Sequence, residues 1–137
     1  MSDFVLDNSV SMAWAFEDES NEYADAVLES LRSHQAAVPV IWPLETANVL
    51  LVARRRERLS GAYQTRFLAL IRDLPIDVAR DGVRMEGLIN LGGDMRLSAY
   101  DASYLELALS RGLPLATCDR EVRRAAREAG IDLWSKG

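Results

Sequence analysis

The chain has 137 residues, 49% of them hydrophobic, and a formal net charge of -5 at pH 7. That balance suits one domain, residues 1–137, with a single core, and it excludes a protein that coats duplex DNA through many cationic phosphate contacts. With one cysteine, Cys118, and one histidine, His34, the chain can form neither an internal disulfide nor a zinc site of the usual four-ligand kind, so any metal is held by oxygen.

The apolar runs stop well short of the ~20 residues of a membrane span, and the N-terminus has no basic region followed by an apolar stretch. The expectation is a cytoplasmic protein with no membrane segment or signal peptide. Phe4-Val5-Leu6 is a short continuous apolar run, the pattern of a parallel strand buried on both faces, and it ends at Asp7-Asn8-Ser9. Val10 to Phe16 reads as a short helix. After the acidic turn Glu17 to Ser20, a longer helix carries Ala24, Val27, Leu28 and Leu31 on its apolar face. Ala36 to Pro39 reads as the second strand, with Pro39, which has no N–H to donate, at its end or at an edge.

Trp42-Pro43-Leu44-Glu45 opens the next helix with proline in the first turn, where its missing donor costs nothing. This puts Glu45 in the first turn as well, with Asn48 one turn later on the same face. Arg54 to Leu59 ends that helix, and Ser60-Gly61 opens another whose buried side is Phe67, Leu68 and Ile71. Ile76 to Val78 is the third strand. Val83 to Leu91 follows as a helix stopped by Gly92-Gly93, with a flexible loop from Gly92 to Arg96.

Ser98 with Asp101 three residues later forms a capping-box-like start, after which Ala102, Leu105, Ala108 and Leu109 recur at helical spacing and Arg111-Gly112 closes the helix. The short run Leu115-Ala116 ends in Thr117-Cys118-Asp119. A last helix with Val122, Ala125 and Ala126 on one face runs to Gly130, and Ile131 to Leu133 reads as a further strand. Strands alternating with helices predict an α/β fold with a parallel sheet and right-handed crossovers.

Four acids stand out, and each has an ordinary structural use. Asp7 and Asp119 fit helix N-caps, Asp101 fits the capping box, and Glu45 fits a favourable charge near a helix N-terminus. Together they point further, because in such a sheet the strand carboxyl ends and the following helix starts share the edge where ligands bind. Two unit charges about 4 Å apart repel by roughly 4 kcal/mol at an effective dielectric near 20, a cost that a divalent cation removes. Hard oxygen ligands without His or Cys suit Mg2+ or Mn2+, and the natural chemistry is metal-assisted attack of water on a phosphodiester.

Other phosphoryl chemistries fit less well. One histidine leaves no two-histidine acid–base route to RNA cleavage. Asp7-Asn8-Ser9 lacks the second aspartate two residues on that one family of aspartyl phosphatases uses, and Lys136, the only lysine, is badly placed for a phosphoacceptor module. The cluster Arg54, Arg55, Arg56 and Arg58 is either a solvated helix end that suits the C-terminal dipole or a patch that guides a nucleic-acid backbone.

The segments VLDNSV around Asp7, WPLETANVLL around Glu45, LSAYDASYLELAL around Asp101 and LPLATCDREVRRAAREAGI around Asp119 closely resemble the PIN-domain ribonucleases and, within them, the VapC toxins of prokaryotic toxin–antitoxin pairs. The resemblance runs nearly the whole length of the chain. It implies a three-layer α/β/α sandwich around a parallel sheet, with a Mg2+-dependent site, Mn2+ being the alternative ion, that cuts single-stranded regions of RNA. By the same resemblance Asp7, Glu45, Asp101 and Asp119 are the catalytic, metal-holding acids, and Ser9, Asn48 and Thr117 are the polar residues that support them. It also implies a homodimer and a cognate antitoxin whose tail lies in a groove and reaches the acids. Trp14, Phe16 and Trp42 flank the motifs and either line that groove or pack in the core. Cys118 falls at a variable position and reads as a small buried thiol. A PIN-like module that binds RNA or protein without cutting is the competing reading.

Overall fold

The structure is a computed structural model and describes residues 1–81 and 83–135. Strands β1 (Phe4–Leu6), β2 (Ala36–Pro39) and β4 (Leu115–Ala116) are buried at every position, whereas β3 (Ile76–Ala79) is only partly covered. Successive side chains of a strand point to opposite faces, so unbroken burial means that both faces of the sheet are packed against helices. All pairings are parallel and the strand order is β3-β2-β1-β4. The fold is therefore an α/β/α sandwich on a parallel sheet, as expected.

Its helices are α1 (Asn8–Ala15), α2 (Glu22–Ser30), α3 (Ile41–Arg55), α4 (Gly61–Asp73), α5 (Met85–Met95), α6 (Ala99–Arg111) and α7 (Arg120–Glu128), with a 3-10 turn at Glu17–Glu19. Side chains at the starts satisfy free N–H groups: Asn21 accepts from Ala24, Ser60 from Tyr63 and Ser98 from Asp101. Gly112, at φ 64°, ends α6 in the left-handed conformation that glycine adopts without strain. No helix of the described residues is long and apolar enough to cross a membrane.

One core lies on the sheet and includes the fully buried Phe4, Leu6, Val38, Tyr104, Leu105, Leu115 and Val122; a second forms where Met12 and Phe16 meet Leu50, Ala53 and Phe67. Strand order sets the functional edge. The chain passes from β1 to β2 and β3 on one side, whereas β4 lies on the other, so the topological switch falls between β1 and β4. Crevices outside the strand carboxyl ends at such a point are where open α/β sheets bind ligands.

Several boundaries differ from the sequence reading. Helix α3 begins at Ile41, with Val40 already at helical angles, so no acid lies in its first turn and Glu45 sits one turn deeper. The expected stop at Gly92-Gly93 does not occur; α5 runs to Met95 and ends at Arg96, at φ 57°. Glycine in a helix costs about 1 kcal/mol relative to alanine, but here packing decides. A Cβ on buried Gly92 would lie 3.0 Å from the Leu97 carbonyl oxygen and 3.9 Å from the Ala102 Cβ, so glycine lets α5 and α6 approach. Leu68 and Leu109 are 36% and 46% exposed, and neither belongs to the buried faces of α4 and α6. Ile131 to Leu133 yields only an isolated bridge, Leu133 to Leu115, after which Trp134 stacks on Phe4 at 4.5 Å between ring centres.

Candidate active site

The pairing of Leu6 with Ala116 sets Asp7 beside Thr117 at the switch point. Asp7 occupies the N-cap position of α1, yet its side chain makes no cap hydrogen bond. Its Oδ2 instead accepts from the Ser9 hydroxyl at 2.5 Å and from the Thr117 hydroxyl at 2.8 Å. The same Thr117 oxygen accepts the Asp119 N–H at 3.0 Å, and Ser9 Oγ accepts the Cys118 N–H at 2.9 Å. Two small hydroxyls thus tie the end of β1 to the end of β4, each using both its donor and its acceptor capacity.

Asp119 does cap its helix, its Oδ1 accepting the N–H groups of Glu121 and Val122 at 2.8 and 3.1 Å. Asp101 contributes its backbone N–H to the Ser98 cap, which leaves its half-buried carboxylate to the site. Glu45 reaches the group from α3, where the fully buried Tyr104 of α6 donates its hydroxyl to Glu45 Oε1. The position of α3 is fixed on α1 by two polar contacts, Trp42 Nε1 to Ser11 Oγ at 2.9 Å and Thr46 Oγ1 to Asn8 Oδ1 at 3.0 Å.

Charge ties the acids together. Burial pushes Asp7 up from 3.8 to about 6 against the lowering effect of the Ser9 and Thr117 hydrogen bonds, and the charges of Asp101 and Glu45 raise it further. Burial also raises Glu45; the Tyr104 hydroxyl opposes that rise and the Asp101 charge adds to it. Asp101 is raised by burial and then by Asp119. The four carboxylates therefore form one chain of mutual repulsion. Nevertheless, among the described residues no three His, Cys, Asp or Glu side chains are placed to hold a metal ion. The two facts are compatible, since repulsion acts over longer distances than ligation.

The PIN domain sequence model matches residues 4–128. The chain belongs to the PIN domain family. PIN domains are generally nucleases. In fold this one is similar to the crystal structure of PAE2754 from Pyrobaculum aerophilum, with a TM-score of 0.69 and 25% sequence identity over 90% of this chain and 86% of that one. No curated protein matches it in sequence.

Of the expected supporting residues, this PIN domain brings Ser9 and Thr117 onto Asp7 but leaves Asn48 exposed on α3, lining a depression with Val52, Arg56 and Arg58. Trp42 is buried and bonded to Ser11, so it packs rather than lines a surface groove. Trp14 donates its Nε1–H to the Ala24 carbonyl at 2.8 Å. Phe16 is covered by the Arg58 guanidinium at 4.3 Å, beside a cavity of about 700 Å³ whose lining includes none of the four acids. Arg58 also pairs with Asp18 at 3.3 Å, while Arg54 bonds Gln64, so half of the arginine cluster serves local structure.

Burial raises the Cys118 thiol, which disfavours the thiolate a nucleophile needs. His34 is no partner for it, since it lies before β2 at the other end of the sheet, edge-on to Trp134. The residues that the sequence reading missed are Tyr104, Ser11, Asn8 and Thr46. Tyr104 left one trace: a tyrosine on the core face of a helix needs an acceptor for its hydroxyl.

Proposed function

We propose that this PIN domain is a Mg2+- or Mn2+-dependent endoribonuclease that cuts single-stranded regions of RNA and serves as a VapC-like toxin of a toxin–antitoxin pair. The observation that carries the reading is the hydrogen-bonded link from Asp7 through Thr117 to Asp119 at the switch point, with Asp101 and Glu45 within reach of its charge. The donor set suits a hard divalent ion: it is all carboxylate oxygen, with the thiol disfavoured as a ligand and the histidine elsewhere. Asp7, Glu45, Asp101 and Asp119 would hold the ion, which would offset their mutual repulsion. When bound, it would supply activation of water near neutral pH and neutralisation of charge on the phosphodiester.

The chain's own residues do the rest. Ser9 and Thr117 fix one oxygen of Asp7 and leave the other uncommitted to either hydroxyl. Asp119 commits Oδ1 to its helix cap and leaves Oδ2 for the site. A homodimer and a cognate antitoxin belong to the same proposal, supported by the motif resemblance.

A second reading, a PIN-like module that binds RNA or protein without cutting, is favoured by the acids standing short of ligating distance. Incubation of the purified chain with single-stranded RNA separates the two. Hydrolysis in Mg2+ or Mn2+ to 5'-phosphate and 3'-hydroxyl ends, abolished by EDTA, is the expected outcome. Activity that survives excess EDTA, or 2',3'-cyclic phosphate ends, contradicts the metal–water mechanism, and binding without cleavage supports the second reading.

A further inference from the structure

A buried phenol must find an acceptor, but any carbonyl would satisfy it. In this protein the acceptor is a half-buried carboxylate on another helix, and it is one of the four acids. Tyr104 is among the largest fully buried side chains in the molecule, so its ring cannot follow a moving partner. It lies three residues after Asp101 on α6, and α6 packs on β1 and β2. The charge of Asp7 also acts on its hydroxyl. One rigid group on the helix of Asp101 therefore faces the end of β1 and the side chain of Glu45.

The contacts of Trp42 and Thr46 with α1 fix the backbone of α3 but leave the Glu45 side chain its own rotamers. We infer that Tyr104 is a positioning residue, whose hydroxyl holds the Glu45 carboxylate in the site together with Asp7 and Asp101 and leaves Glu45 Oε2 available to a divalent cation. This rests on the metal-dependent reading proposed above.

Tyr104→Phe keeps the ring in the core and deletes only the hydroxyl. Mn2+ binding to the RNA-free chain, followed by the electron paramagnetic resonance of the free ion, should weaken by about 10- to 100-fold, the range seen when a group orienting a metal-binding side chain is removed. In steady-state cleavage kcat should fall with little change in KM. In a Glu45→Ala background the same substitution should have no further effect on either measurement. Parental Mn2+ affinity in Tyr104→Phe, or an equal loss with and without Glu45, overturns the inference.

A second measurement needs no variant. The proton of the Tyr104 hydroxyl, sheltered by burial, should give a nuclear magnetic resonance signal that shifts as Mg2+ saturates the parent chain; a signal that stays in place overturns the role. If the parent binds no Mn2+ and cuts no RNA, the proposed function fails and this inference with it. If the parent binds and cuts while Tyr104→Phe behaves identically, the function stands and only the role of Tyr104 falls.

Discussion

Asp7→Asn is expected to melt well above the parent near neutral pH in EDTA, and to have lost RNA cleavage. Asp7 is 4% exposed, and its carboxyl titrates at about 6 in the folded chain against an ordinary 3.8. Because the folded-state value is the higher one, the folded chain binds more protons between these values, so stability falls as pH rises through the window. The full cost, roughly 3 kcal/mol, is present only above about pH 6. Asparagine has no charge to bury, and both the Ser9 and Thr117 hydroxyls donate to the same oxygen, which an amide carbonyl can replace. The gain in Tm should be on the order of 10 °C near pH 7.5 and vanish near pH 3.5. Added Mg2+ should stabilise the parent more than the variant. Thermal melts across pH check this: a variant that melts below the parent near pH 7.5 would show that Asp7 is a structural hydrogen-bond acceptor whose charge costs nothing.

Asp119→Asn separates capping from chemistry. Asparagine caps helices about as well as aspartate, and the Glu121 and Val122 N–H groups both bond Oδ1, which the amide oxygen reproduces. α7 should therefore remain intact. The substitution removes the charge that raises Asp101, so in EDTA the variant should melt at or slightly above the parental temperature. Cleavage in Mg2+ should fall by more than the 10- to 100-fold that losing a supporting group costs, to below about 1% of the parental rate. Stabilisation by added Mg2+ should shrink in parallel. Melts with and without Mg2+, paired with a cleavage assay, check both halves. Cleavage at the parental rate would reduce Asp119 to a helix cap.

Local pattern carried the sequence reading as far as it went. Buried parallel strands show as unbroken apolar runs, and strand ends followed by helix starts place Asp7, Asp101 and Asp119 at one edge without any knowledge of the packing. Ser9 and Thr117 came instead from the motif resemblance, which also named Asn48, and only the first two, each two residues from an acid in sequence, bond to Asp7. What escaped is non-local. The hydrogen bonds of Tyr104 with Glu45, Thr46 with Asn8 and Trp42 with Ser11 span 59, 38 and 31 residues, and no periodicity encodes them. Gly92-Gly93 misled because a helix breaker was read without the neighbour that requires it, the Leu97 carbonyl of the next helix start. Glu45 was placed a turn too early because Pro43 marks a first turn without fixing its first residue.

The proposed function requires four carboxylates, at the end of β1, on α3 and α6 and at the β4–α7 junction, to act as one cation site. Substoichiometric Mn2+ added to the isotopically labelled chain tests it most directly, since the paramagnetic ion broadens the amide signals nearest to it. The signals of Asp7, Glu45, Asp101 and Asp119 should disappear first and together, and EDTA should restore them. Broadening that begins at the exposed acidic turn Glu17–Glu19, or that spreads evenly over the chain, would contradict it.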